Sequence, residues 1–331
     1  MNTKDPLIVS RGIAASSYID ITTDATTLAE IYKEVDPAMY LPTLNIFPRE
    51  VVMAEAINAT IITAAQTPAA PNAFDPYSAS PTVAASTAVG VTSKTVTWGA
   101  VGLDRTVPFI LSMMRERVVD WTRAAIIEMI REVYMDMEYL FWKGTGSGGQ
   151  PTGLLKQGVG TYNAGTRGLT FQRIVTAHGS VATDLGNPRV GLDGYLFVTP
   201  NTAYSLQGSL ISISNQVQVV VTPNENMFIW PFQDVVKTPY GKLQIVATKN
   251  LEATGTFGTT VCDSAFLVVD PSRAGRTIKT YTFPSTEPVI VTKPSGIESG
   301  TPIEVAILFQ PLIRDLKACM ELVAIAPTAI P

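Results

Sequence analysis

The sequence predicts an α+β protein, and three observations carry that prediction. Near the middle, one amphipathic pattern is long enough for a single helix of roughly thirty residues. The chain after it is a series of short apolar runs separated by Gly and Pro, the mark of strands and turns. Only two weaker helical patterns, Phe171–Leu185 and Asn201–Gln207, are mixed among those runs.

Residues 1–45 read as an irregular arm, with one short helical pattern near Leu28–Val35 and prolines at 37 and 42. Residues 50–66 lead into a run of Ala, Pro, Ser and Thr in which Pro68, Pro71, Pro76 and Pro81 forbid a helix or a central strand. The chain returns through Val89, Val91, Val96 and Trp98, alternating with Thr95 and Thr97, as a half-buried strand does. Together these pieces predict a long two-armed excursion, and a loop of that length within a compact domain is usually functional or disordered.

Next, Leu111, Met114, Val118, Trp121, Ala125, Met129, Val133, Met137 and Leu140 recur every three or four residues, with charged residues mainly between them. The spacing predicts one helix over about 109–142, started by Pro108, stopped by Gly144 and about 45 Å long at 1.5 Å per residue. No partner helices of similar length follow, so it reads as a strut and not as part of a bundle. The runs Tyr195–Thr199, Leu243–Thr248, Ala265–Asp270, Thr277–Phe283, Val289–Thr292 and Glu304–Phe309 read as strands.

Composition narrows the function classes. The 331 residues suffice for one large or two modest domains. Charged residues make up 16%, below the usual quarter, which suits a surface covered by sister subunits and equally an Ala/Thr-rich β protein of no special function. The net charge is −4 and no basic cluster appears, so no sequence-reading DNA-binding module is expected. Cys262 and Cys319 fit neither a disulfide framework nor a zinc motif and are expected as buried free thiols, as in a reducing cytoplasm. The first residues have no apolar core and no run of eighteen apolar residues occurs, so neither a signal peptide nor a membrane span is expected.

The motifs that carry chemistry in other proteins fail here on context. Gly144, Gly146 and Gly149 match G-x-G-x-x-G, but they follow the C-terminus of the long helix, where the dipole repels phosphate. They are better read, with Pro151 and Gly153, as a structural turn in which glycine permits the left-handed conformation that ends the helix. His178 is the only histidine, and with no nucleophile motif it is expected as a surface or satisfied helix residue. Carboxylate pairs such as Glu128/Glu132 alternate with Arg115, Arg123 and Arg131 and read as a solvated or salt-bridged helix face. Trp98, Trp121, Trp142 and Trp230 form no aromatic–basic stripe for single-stranded nucleic acid. No catalytic residue, cofactor site or metal site is expected.

The order of parts (arm, excursion, strut helix, Gly-rich turn, mixed domain, late return strand) resembles the major capsid proteins of tailed bacteriophages, with the Hong Kong 97-type fold. The local match is Met137-Asp-Met-Glu-Tyr-Leu-Phe-Trp-Lys-Gly144-Thr-Gly146-Ser-Gly-Gly149-Gln-Pro151-Thr-Gly153-Leu-Leu155, a helix end followed by Gly-x-Gly and Pro-x-Gly-Leu. A second match, Gly194-Tyr-Leu-Phe-Val-Thr-Pro200, looks like the start of that family's axial domain, and Tyr240–Thr248 and Ala265–Asp270 look like its later strands. Ile303 to Ile325 is similar to the closing strands of the peripheral domain, so the resemblance covers roughly residues 45–326.

That resemblance implies an N-terminal arm at 1–45 and an extended loop with its base at 46–104. It implies a peripheral domain with the spine helix at 105–170, an axial domain at 171–270, and return strands with a tail at 271–331. It implies a structural protein that assembles with itself into hexamers and pentamers, forming an icosahedral head around double-stranded DNA held by non-specific contacts. The expected location is the virion, after synthesis in the host cytoplasm, with no membrane contact. A portal and a decoration protein are further expected partners. The arm is too short and Pro-broken for a fused scaffold, and Met1 favours a separate scaffolding protein over a trimmed chain. Lys94, Val96, Trp98, Arg115, Arg123 and Arg131 are candidate inter-subunit contacts. Some relatives crosslink a loop Lys to a neighbour's Asn; Lys94 lies on the matching arm, but no motif identifies a partner. The rival readings are an encapsulin-type nanocompartment shell, a nucleotide-dependent enzyme using Gly144–Gly149, and a β-rich tail or tube protein.

Overall fold

The computed structural model describes residues 25–63, 91–107, 115–185, 191–206, 235–269, 277–292 and 301–326. The expected helix start at Pro108 and the Pro-rich part of the excursion lie outside the described residues. The helices are α1 (Ala25–Glu34), α2 (Pro37–Tyr40), α3 (Arg115–Lys143) and α4 (Phe171–Asp184). The first strands are β1 (Arg49–Val51), β2 (Ile57–Ile62), β3 (Val91–Val96), β4 (Gly99–Val107), β5 (Gly160–Arg167), β6 (Gly194–Val198) and β7 (Val235–Lys237). They are followed by β8 (Lys242–Ala247), β9 (Gly255–Phe257), β10 (Thr260–Val269), β11 (Ile278–Phe283), β12 (Val289–Thr292), β13 (Thr301–Ile313) and β14 (Cys319–Ile325). The chain forms two compact units, Met1–Ile57 with Thr97–Leu154 and Thr280–Pro311, and Asn58–Val96 with Leu155–Lys279 and Leu312–Pro331.

The first unit is organised by α3. Ala125, Met129, Val133 and Met137 are buried, as the periodicity predicts, together with Ile126, Ile130, Tyr134 and Phe141 one position along and Trp142 after them, while Leu140 is half-buried. A stripe of this width is what a helix covered from two sides requires. Each large apolar side chain so buried contributes about 1.5–3 kcal/mol. A five-stranded sheet, in the order β1-β11-β13-β12 with β4 also paired to β13, completes the unit. β13 shows the period of two: Ile303, Val305, Ile307 and Phe309 are buried, and Glu304, Ala306 and Leu308 are half-exposed. β4 runs antiparallel along it from Thr301↔Val107 to Phe309↔Gly99.

The second unit is a seven-stranded mixed sheet in the order β5-β14-β10-β6-β8-β7, with β9 added to β10. Ala265 to Val269 of β10 are buried without alternation, as befits a central strand covered on both faces. The amphipathic α4 lays Ile174, Ala177 and Val181 into one core with Leu196, Leu243, Leu267 and Leu322. On its other face Thr176, Ser180 and Thr183 donate to the carbonyls of Gln172, Thr176 and Gly179, which keeps their hydroxyls satisfied.

Two expectations change. The sequence reading places residues 160–167 with the long helix and keeps the whole tail beside it, but β5 pairs parallel with β14 inside the second unit's sheet. The physical reason is β14: Cys319, Met320, Leu322, Ala324 and Ile325 are buried. A strand apolar on both faces belongs inside a sheet, between β5 and β10.

Candidate assembly surfaces

The turn after α3 is built by backbone meeting backbone. The Gly144 N–H donates to Leu140 O at 2.9 Å, so the helical ladder continues to the turn. The chain then closes on itself: Gly153 N–H donates to Gly144 O at 2.9 Å and Gly146 N–H to Pro151 O at 3.1 Å. A Cβ on Gly144 would lie 2.2 Å from Pro151 O, and one on Gly153 would lie 2.5 Å from Trp142 O. Positive φ belongs farther out, at Gly146 (+71°), Gly148 (+61°) and Gly149 (+79°). Gly144 is thus required by close approach, and the left-handed conformation belongs to Gly146 and Gly149 of the same turn. Gly144, Gly146 and Gly153 spend their N–H groups inside the turn.

Gln310 braces this turn and was invisible to motif reading. Its side-chain amide accepts from Thr152 N and donates to Thr152 O, both at 3.1 Å, and also donates to Pro311 O at 2.7 Å. At 1% exposure, these bonds replace the water it has lost.

The candidate contact residues divide sharply. Lys94 is exposed on β3. Val96, at the end of β3, is 7% exposed and buried within its own chain, so it is no contact for a neighbour, whereas Thr92 to Thr95 before it are exposed. Trp98 also packs at home, with its Nε1–H donating to Ala54 O at 2.8 Å and its ring 6.0 Å from that of Phe283. Arg123 pairs with Glu34 at 2.7 Å and Glu30 at 3.7 Å, tying α1 to α3, and Arg131 pairs with Glu128 at 2.5 Å. Both arginines are therefore engaged within the subunit. Arg115 lies in α3, with its side chain outside the described residues.

Glu138 is a functional-looking group that the periodicity did not reveal. It is 3% exposed, and its carboxyl oxygens accept the N–H groups of Thr43 and Leu44 at 3.2 and 3.1 Å. The neighbouring Trp142 Nε1–H donates to Thr43 Oγ1 at 3.0 Å, and Phe47 stacks on Phe141 at 5.9 Å. Burial pushes the carboxyl up to about 7, against the opposing pull of the two backbone donors and Trp142. The group is a fastener that holds residues 43–47 on α3. A second fastener joins residues 286–288 to the same unit: Tyr134 donates to Glu287, Tyr32 to Pro288 O, and Arg49 to Thr286 O at 2.9 Å. Burial, reinforced by Glu287, pushes the Tyr32 hydroxyl up to about 12.

His178 is a satisfied core residue. Its Nε2 faces Leu192 O at 2.9 Å and must carry the proton, so Nδ1 accepts from Thr238 Oγ1 at 2.8 Å. Burial lowers its pKa and keeps the ring neutral. Cys262 and Cys319 are buried thiols outside any disulfide. Among the described residues, no three His, Cys, Asp or Glu side chains come together to hold a metal, and no helix is long and apolar enough to cross a membrane.

No protein-family model matches the chain. No curated protein matches it either. Solved structures do. The holo-SrpI encapsulin complex from Synechococcus elongatus PCC 7942 superposes with a TM-score of 0.56 at 10% identity, covering 87% of this chain and 91% of that one. The capsid of a native GTA particle gives 0.56 at 11% identity, covering 88% and 91%. The capsid of cyanophage A-1(L) gives 0.55 at 12% identity, covering 86% and 93%. At such low identity the likeness speaks for the fold, and it spans nearly the whole of each chain: this protein has the Hong Kong 97-type α+β fold that encapsulin and phage-type capsid subunits share.

Proposed function

We propose that this chain is the major capsid protein of a tailed bacteriophage, a non-enzymatic subunit that assembles with copies of itself into hexameric and pentameric capsomers of an icosahedral shell around double-stranded DNA. The observation that carries this reading is the fold itself, shared over at least 86% of the chain with the cyanophage and GTA capsids. The sequence character supports it: low charge, a long strut helix and a Pro-rich run from Pro68 to Pro81. In such a shell each contact is modest, but closed symmetry makes many contacts cooperative. A net charge of −4 suits an inner wall that touches DNA only through scattered, non-specific contacts. The virion is then its location, and a separate scaffolding protein, a portal and a decoration protein are its expected partners.

The test is deletion of residues 66–90 from the full chain. The shortened chain folds but forms no stable shells in sizing columns or electron micrographs; shells of normal yield and size overturn the reading. An encapsulin shell is the second reading, favoured by the equal TM-score of the SrpI encapsulin. The two differ in contents: neighbouring genes for terminase and portal mark a phage head, and genes for a peroxidase or ferritin-like cargo mark a nanocompartment.

A further inference from the structure

The β9–β10 hairpin stands out in the second unit for what holds it and for what it presents. Its two-residue connection, Gly258-Thr259, has Gly258 at φ +63°, the geometry a tight hairpin needs. Its base is pinned twice. Asp263, 5% exposed, accepts from Ala253 N at 3.0 Å and Thr199 Oγ1 at 3.3 Å, holding Ala253 at φ +49°. Thr254 donates to Ser264 Oγ at 2.7 Å, and Ser264 donates to Glu321 at 3.0 Å. A non-glycine residue in the left-handed region is costly, so the surrounding bonds must over-determine that conformation.

What this rigid base holds out is apolar and uncharged. Phe257 is 48% exposed and Val261 is 52% exposed. Thr260 faces Phe257 and Val261 faces Thr256 in the register, so the two apolar side chains lie on opposite faces of the ribbon. From Ala253 to Cys262 no residue carries charge, although Glu252 and Asp263 bound the segment. Among the described residues β9 pairs with β10 alone, which leaves an edge strand without the charges that normally protect one.

We propose that this hairpin is a docking element whose two-sided apolar tip is received by a second copy of this chain. The inference rests on the shell-subunit reading. Charge selects the occupant: copies of net charge −4 repel one another, and a neutral ribbon is where they meet without that penalty. Nucleic acid finds no cation on the tip to pair with. Exposure on both faces calls for a cleft in the partner, and a preorganised tip loses little entropy on entering it.

The experiment uses the full chain. In a Phe257→Cys variant, the introduced thiol is the accessible one, because Cys262 and Cys319 are each 2% exposed. Labelling with a maleimide is expected to be fast in unassembled subunits and slower by roughly tenfold or more in purified shells, as for a desolvated interface core. Equal rates in both states overturn the proposal, as does protection already present in the unassembled subunit, which would mean that the chain covers its own tip. A Phe257→Lys/Val261→Lys variant is expected to keep the wild-type melting temperature and lose shell formation; shells at wild-type yield overturn the proposal. A wild-type chain that forms no shells refutes the shell reading itself, and so separates that failure from a failure of the hairpin assignment.

Discussion

Replacing Glu138 by Gln tests the fastener between residues 43–47 and α3. The carboxyl is ordinary near 4.5 and is pushed to about 7 by burial, with the Thr43 and Leu44 N–H groups pulling the other way. The folded chain therefore holds a proton that the unfolded chain has released between those two values. With the folded value raised, stability is fully present below about 4.5 and is lost as pH rises through about 7. At about 1.4 kcal/mol per tenfold change in proton affinity, the full loss is about 3 kcal/mol. Glu138→Gln removes this titration and keeps the shape, although its amide can accept only one of the two N–H groups well. Denaturant unfolding of the unassembled subunit at pH 5, 6, 7 and 8 reads the difference. The wild type is expected to lose stability relative to the variant with rising pH, chiefly between pH 5 and 8. Parallel profiles for the two proteins would refute the reasoning.

Other perturbations read other parts of the account. Gly144→Ala places a methyl 2.2 Å from Pro151 O, a backbone atom that cannot step aside; expression should give unfolded or insoluble chain, and a soluble variant with wild-type melting would contradict the close-approach argument. His178 is held neutral, its pKa lowered by burial, so its contribution is present above the ordinary value near 6.5 and is lost as pH falls through the lowered folded value. Calorimetry should show acid destabilisation that a His178→Gln variant lacks. Arg123→Ala removes part-exposed pairs with Glu34 and Glu30 and should cost no more than about 1 kcal/mol in urea unfolding.

The parts legible in the sequence are those where one physical signal dominates. α3 is legible because its apolar spacing persists over many turns, β6, β10 and β13 because each is rich in apolar residues, and β8 and β11 because apolar residues recur between polar ones within short runs bounded by turn signals. β5 is not: of Gly160-Thr-Tyr-Asn-Ala-Gly-Thr-Arg167 only Ala164 is buried, since the strand is an edge whose place is set by backbone pairing to β14. Val96 and Trp98 were visible as apolar residues, but sequence cannot tell whether a neighbour's surface or the chain's own covers them. Glu138 resembles any carboxylate on a helix until Thr43 and Leu44, some ninety-five residues away in the chain, arrive with their N–H groups. Gln310 carried the one readable clue, a polar residue between Phe309 and Pro311 in an apolar strand.

The most direct measurement is electron microscopy of the purified chain at assembling concentrations. Closed shells with five- and six-fold clusters of subunits are predicted. A monodisperse monomer under every such condition, with residues 64–90 protected from protease by its own fold, would contradict the account.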